Sequence, residues 1–447
     1  ARAWEFSNYR PAAADLLTEA DLSDEEAVAE LTRLLKQAIR RRMVSDVPFG
    51  VLLSGGVDSS LIVALMSEMM DRPVTTFTIG YEGKEDYNEF RFARRISERF
   101  GTDHHEVRIT RKQMQDFLPL LVQVQDEPIA DNVCIPLYFL AGLVRARQTT
   151  VVQVGEGADE NFLGYWWCDH YRQKEEQVYG PARAGARPSW SWRQMFGRPG
   201  TTAAISAEDR AIRQRAQAGQ ELFWGGATCW WGEMRDQLTP DIAPFRQSIE
   251  CPVEGLLPDS HRRLDSHSVV AHYLAGLDGK LCRPEVLQKI PHMELSLRLP
   301  EHLLMRVDKL TMAHSIEARV PFLDHDVVEF ARRLSPSFKL RGGVGKYVLK
   351  KAAEPYLEHD QVYRKKQGFG APMEEWFQEG DFGRMCLAAF ERSALAREGF
   401  LNRAYFKELL NKQIQGGGGY SFHLWTVMNA VLWHASWIEG RRECLAA

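Results

Sequence analysis

Ser54-Gly55-Gly56-Val57-Asp58-Ser59-Ser60 follows the short apolar run Gly50 to Leu53 and opens a helical pattern from Ser59 to Met70. Two adjacent glycines let the backbone turn tightly and bring its N–H groups close to a ligand. Ser54, Ser59 and the helix N-terminus add donors and a positive dipole end, an arrangement suited to phosphate or pyrophosphate. Asp58 would repel a bare polyphosphate, so its place inside this cradle makes sense as a ligand of Mg²⁺ bridging phosphate oxygens. Neither the Walker A pattern GxxxxGK[ST] nor GxGxxG occurs. A plain glycine turn between strand and helix is the alternative, and the seven-residue string in this context is more specific than that.

The flanking sequence supplies the frame. Ser23 with Glu26 three residues on forms a capping-box pair, and Ala27, Leu31, Leu34, Leu35 and Ala38 recur at helical spacing before Arg40, Arg41 and Arg42. Apolar runs at Gly50 to Leu53, Val74 to Ile79, His105 to Ile109 and Thr150 to Val154 read as strands. Helical patterns at Ser59 to Met70, Asn88 to Phe100, Lys112 to Gln123 and Pro136 to Arg147 alternate with them. Such alternation predicts an α/β fold with a parallel sheet, and ligands of such sheets bind at the carboxyl ends of the strands.

Three further clusters carry chemistry. Val154-Gly155-Glu156-Gly157-Ala158-Asp159-Glu160 follows the fourth strand and precedes Gly164-Tyr165. Three carboxylates in five residues are costly to gather unless a cation or a titrating role compensates. Asp159 is the natural second Mg²⁺ ligand and Glu156 the natural general base; a solvated acidic loop is the alternative. The segment from Arg306 to Asp324 reads as a helix running into a Pro turn, part of it a charged helix face. Arg341-Gly-Gly-Val-Gly345-Lys346-Tyr347 and Lys365 to Gly370 place lysines beside glycines, free to reach a phosphate or, alternatively, forming flexible basic loops.

Composition sets the outer limits. The 447 residues carry 56 Lys+Arg against 60 Asp+Glu, a net charge of −4 that excludes a polybasic nucleic-acid binder. No uniformly apolar run reaches the roughly 18 to 20 residues a bilayer span needs, so no membrane association is expected. Seven cysteines, none in a CxxC pair or at metal-ligand spacing, fit a reducing cytoplasm. Residues 1–24 read as a lead-in without sustained period, and 25–165 as the α/β core. Residues 166–263, which hold seven of the twelve tryptophans, read as an irregular, mostly helical insertion, and 264–447 as an all-helical part completing the site.

The SGGxDS string resembles the pyrophosphate loop of the ATP-pyrophosphatase superfamily. Together SGGVDSS, GEGADE with GY, RVDKLTMAHSIEARVPFLD, GKYVLKKA and KKQGFGAP, in this order, resemble the synthetase domain of glutamine-hydrolysing asparagine synthetases over about residues 25 to 440. The resemblance implies a parallel-sheet, adenine nucleotide alpha-hydrolase-like core with a large, mostly helical C-terminal elaboration. It implies an ATP-dependent carbon–nitrogen ligase, with ATP and Mg²⁺ as cofactors, that adenylates a carboxylate and passes it to ammonia, releasing AMP and pyrophosphate.

By motif, Ser54, Gly55, Gly56, Asp58 and Ser59 would hold pyrophosphate, and Leu52, Ile79, Val154 and Gly155 would line the adenosine pocket. Asp58 and Asp159 would bind Mg²⁺, Glu156 would deprotonate ammonium, and Lys346 would stabilise charge on the departing phosphates. Arg319 and Lys366 are weaker candidates for substrate or phosphate contacts. Related β-lactam-forming cyclases are expected to carry Tyr at the Glu156 position, so ammonia is the expected nucleophile.

Departures from the family pattern fall at Val154, Asn161 and Leu163, where Ser before GEG and DE(L/V)FGGY after it are usual. Asn132 stands where some aspartate-using members are expected to carry Arg, which opens the acceptor to sugar uronates or natural-product carboxylates. The family's N-terminal glutaminase nucleophile is a cysteine. Here Ala1 to Phe6 resembles the joining region, and the nearest cysteine is Cys134. Ammonia is therefore expected from a glutaminase domain or a separate subunit, and a homodimer is compatible with the family. A tRNA-modifying ATP pyrophosphatase shares the SGG loop but needs a basic RNA surface; a non-catalytic scaffold with a degenerate site is the third reading.

Overall fold

The computed structural model describes residues 15–183, 207–226, 229–230, 232–240, 266–278, 285–364, 370–378 and 381–441. The expected capping box is present: Ser23 and Glu26 close the start of α1 (Asp24–Met43), and Arg40, Arg41 and Arg42 occupy its last turn. β1 (Phe49–Leu52), α2 (Val57–Ser67), β2 (Thr75–Tyr81), α3 (Phe90–Phe100), β3 (Asp103–Ile109), α4 (Arg111–Gln125), α5 (Cys134–Ala146) and β4 (Val151–Gln153) follow in the predicted alternation.

All neighbours in the sheet run parallel, in the order β3-β2-β1-β4 and then a fifth strand, β5 (Glu317–Arg319). β1 is paired with β2 on one side and β4 on the other, so the strand order reverses at the β1/β4 boundary. That boundary is where an open α/β sheet leaves a crevice for a ligand.

Successive side chains alternate between two cores. Val51 and Leu53 pack with α1, α2, α3 and the segment from Phe322 to Val362. Phe77, Ile79, Val152 and Val154 pack with α4, α5 and the C-terminal helices that carry Trp376, Phe390, Phe406 and Trp425. Helices thus cover both faces, as a fully parallel sheet requires. The last helix of the chain's described residues spans Ser421–Trp437.

Two expectations are corrected. The C-terminal part is not all helical: β5 joins the sheet, and Leu340–Arg341 (β6) and Val344–Gly345 (β7) form an antiparallel hairpin. The segment from Arg306 is helix only to Met312; three residues then pair with β4 before a 3₁₀ turn at Pro321–Leu323. The lead-in is also docked near its end, where Leu17 N–H donates to Arg333 O (2.8 Å) and Ser335 N–H to Leu17 O (2.9 Å). Within the Trp-rich insertion the described residues form helices at Trp166–Arg183, Ala207–Gln217 and Gly232–Leu238. No helix among the described residues is long and apolar enough to cross a membrane.

Candidate active site

The loop after β1 turns at Gly55, whose φ of +70° and close approach to α3 leave no room for a side chain: a Cβ there would lie 2.6 Å from Phe92 Cβ. Hydroxyls brace the loop from within. Ser54 N–H donates to Ser59 Oγ (3.2 Å), Gly56 N–H to Ser54 Oγ (3.3 Å), and the two hydroxyls are 3.2 Å apart. Gly56 caps α2 without a side chain, so no N-cap side chain occupies the first N–H groups of the helix. Gln361 Nε2 donates to Gly55 O (3.3 Å) and Phe92 O (3.4 Å), fixing the loop from behind.

The acidic turn after β4 meets this loop directly: a Cβ at Gly155 would lie 3.1 Å from Asp58 Cβ. Between them stands Lys346, its Nζ 2.6 Å from Asp58 Oδ2 and 2.9 Å from Asp159 Oδ1. Burial works against the ammonium, but Asp159 and Asp58 more than offset it and hold its pKa above that of an ordinary lysine. Lys346 is therefore not a flexible basic residue. It sits with φ of +56° just after β7, at the start of helix Tyr347–Ala353, and Lys346 N–H donates to Phe162 O (2.9 Å).

The glycines of both motifs make room for it. A Cβ on Gly164 would come within 2.1 Å of both Asp159 Oδ1 and Lys346 Cε, and one on Gly345 within 2.3 Å of Leu163 O. Leu163, where the family usually carries Gly, keeps the left-handed conformation at φ +56° and is buried against Trp167 and Tyr171. Asn161, the other departure, donates from Nδ2 to Phe322 O (3.0 Å).

Glu156 opens towards a second group, of which only Arg306 stood in a cluster singled out from the sequence. Residues Glu294–Leu304 form a π-helix with Pro300 inside it, continued by the α-helix Met305–Met312. Wider π turns bring residues four apart closer to one line than α turns do. Glu294, Arg298, His302 and Arg306 form that line. Arg306 Nη2 donates to Glu156 Oε1 (2.8 Å) and Nη1 to Asp131 Oδ2 (2.5 Å), with His302 Nε2 3.3 Å from the same Asp131 oxygen. Burial alone would raise the Asp131 carboxyl, but Arg306 and His302 override it and hold it well below the usual range.

Arg298 pairs with Glu294 (2.7 Å) and lies over the Tyr165 ring, whose hydroxyl donates to Glu160. Burial, with Asp159 and Glu156 nearby, pushes the Glu160 carboxyl up. The readable signal for the whole line was its spacing: Glu294, Arg298, His302 and Arg306 fall four residues apart.

Leu52, Ile79 and Val154 stand at the carboxyl ends of β1, β2 and β4, with Ile79 and Val154 buried. Arg319 is held elsewhere, donating to Arg42 O (2.9 Å), Val44 O (2.7 Å) and Glu317 (2.7 Å), which ties β5 to the end of α1. Lys366 lies outside the described residues. Its neighbour Arg364 was missed, and it reaches the cradle: Nη2 would lie 3.9 Å from a Cβ on Gly56 while pairing with Glu89 and stacking over Phe92.

The only His/Asp/Glu/Cys cluster with metal-like spacing among the described residues, Asp324-His325-Asp326, is taken up by Arg41 and Arg42. Asp58 and Asp159 fit a cation differently: both already face one ammonium, so their oxygens converge on a common positive charge.

The asparagine synthase family model matches residues 30–435. The chain belongs to the asparagine synthase family. A putative glutamine-hydrolysing asparagine synthetase of Mycobacterium tuberculosis is 29% identical over 418 residues, covering 93% of this chain and 59% of the relative. Asparagine synthetase 1 of Bacillus subtilis is 27% identical over 420 residues, covering 94% of this chain and 61% of its own length. An amidase, chyE, of Penicillium rubens is 25% identical over 391 residues, covering 81% of this asparagine synthase homologue and 54% of the amidase. The chain thus spans about three fifths of the length of the asparagine synthetases it matches.

Proposed function

We propose that this chain joins a carboxylic acid to ammonia at the expense of ATP, through an acyl adenylate. The observation that carries the reading is Lys346, held at the β1/β4 boundary by one carboxylate from each loop. A buried ammonium beside a backbone anion cradle is arranged for charge that develops on phosphate oxygens, and in a water-poor site such a cation is worth several kcal/mol.

In the first step an acceptor carboxylate oxygen attacks the α-phosphorus, the α–β P–O bond breaks, and pyrophosphate departs into the Ser54–Ser59 loop. Asp58 and Asp159 would hold Mg²⁺, which when bound neutralises triphosphate charge. In the second step Glu156 takes a proton from ammonium and ammonia attacks the acyl carbon; the acyl carbon–oxygen bond breaks, AMP leaves with its electron pair, and the surplus proton on the new amide nitrogen passes to water. The adenosine would lie against Leu52, Ile79, Val154 and Gly155.

Ammonia would come from a glutaminase domain or a separate subunit. The acceptor would be aspartate or another acid such as a uronate or natural-product carboxylate. Free thiols at Cys134, Cys168, Cys229 and Cys386 suit a reducing cytoplasm as the setting.

Incubation with MgATP, ammonium and a panel of acids is expected to give AMP, pyrophosphate and a carboxamide, with acid-dependent ATP/pyrophosphate exchange. Release of ADP and phosphate instead would refute the reading.

A further inference from the structure

The Glu156 side chain is about a quarter exposed and is held in an ion pair with the buried Arg306. Among the described residues it has one hydrogen bond, and Arg306 donates it. Arg306 is buried, and its other terminal nitrogen binds Asp131, which also accepts from Val133 N–H (3.0 Å) and faces His302. The next residue, Asn132, reaches across to donate from Nδ2 to Ala371 O (3.1 Å), beside Gly370. One guanidinium therefore joins the acidic turn after β4 to the segment before α5.

We propose that Arg306 is the positioning residue for the ammonia step: it sets the direction of Glu156 and ties that direction to the placement of the Asp131–Asn132 segment. The proposal rests on Glu156 being the group that receives the proton from ammonium. A guanidinium keeps its proton at any working pH, so Arg306 neither takes nor relays one. What it supplies is a planar fork that fixes two carboxylates relative to each other. Its partners Glu156 and Asp131 belong to the ammonia side of the site, while Lys346 holds the phosphate side. The two half-reactions are therefore supported by different cations, and each can be weakened without the other.

The test uses the full chain with an acid that supports exchange, and measures acid-dependent ATP/pyrophosphate exchange and carboxamide formation at saturating ammonium. Arg306→Lys keeps the charge and loses the fork. Its exchange is expected to stay within about threefold of the unaltered chain, while carboxamide formation falls roughly a hundredfold, the size of effect produced by misplacing a reacting group by about 1 Å.

Asp131→Asn leaves the guanidinium in place, removes its anchor, and guards against misfolding of the buried Arg306 variant; the same split is expected, at about tenfold. In a Glu156→Gln background, Arg306→Lys should cost nothing further, because the two residues act as one unit. Equal loss of exchange and carboxamide in both variants, unchanged carboxamide formation, or additive losses in the double variant would each overturn the assignment. If the unaltered chain gives no exchange, or Glu156→Gln makes carboxamide at full rate, the underlying reading fails instead.

Discussion

Two buried lysines bracket one small hairpin and behave in opposite ways. Lys339 precedes β6 and Lys346 follows β7, and each is about 5% exposed. Burial disfavours the ammonium at both. At Lys346 the carboxylates of Asp159 and Asp58 reverse that effect and raise the pKa. At Lys339 the nearby Arg332 adds to it, and the pKa is pushed down to about 7. Equal depth gives opposite pKa shifts, and the partner decides: a buried lysine is an electrostatic tool only where the chain has brought acids to it.

The sharpest way to break this contrast is Lys346→Met. Acid-dependent AMP formation should fall about a thousandfold, and unfolding should become easier by roughly 3 to 5 kcal/mol, because Asp58 and Asp159 lose their shared cation. Retained AMP formation in a folded variant would remove Lys346 from the chemistry.

Lys339→Met should do the reverse. Its folded pKa lies below its unfolded value of about 10.5, so the unfolded chain binds the extra proton between pH 7 and pH 10.5. Stability of the unaltered chain therefore gains from this group as pH rises through that window, and the full penalty is present below pH 7. The methionine variant should be more stable at pH 7, by roughly 2 to 4 kcal/mol, and should lack that gain; denaturant melts at pH 7 and 9 decide it.

Gly164→Ala tests whether the Lys346 niche is steric as well as electrostatic. The added methyl overlaps Asp159 and Lys346 Cε, so exchange should drop about tenfold to a hundredfold with Lys339-linked pH behaviour unchanged. Arg364→Ala should have the smallest effect, raising the KM for MgATP a few fold, on the order of one charge-assisted hydrogen bond, with little change in stability.

Much of the frame was legible because strong local signals agreed. The Ser23–Glu26 box, the β/α alternation and the SGG loop each specify structure within a few residues. What escaped depended on distant partners. β5 is a three-residue edge strand, Glu-Ala-Arg, too short and polar to show alternation, so it read as the tail of a helix. Arg319, a candidate for substrate contact, proved to be the side chain that fastens that strand to α1. Lys346 was a candidate for the phosphates, but its pairing with Asp58 and Asp159 was not legible because neither is near it in sequence. Arg306 looked like a charged helix face for the same reason: Glu156 and Asp131 are remote along the chain.

The pairing of β4 with β5 joins Val151 to Glu317, and Lys346 comes later still. During synthesis the phosphate loop and the acidic turn emerge long before the strand that completes the sheet or the ammonium that joins them. Closing so long a loop is slow and unrewarded until the pairing is made. A nascent chain of this protein therefore carries both loops without their shared ammonium until residue 346 has been made. Competence arrives abruptly, with the hairpin that delivers Lys346.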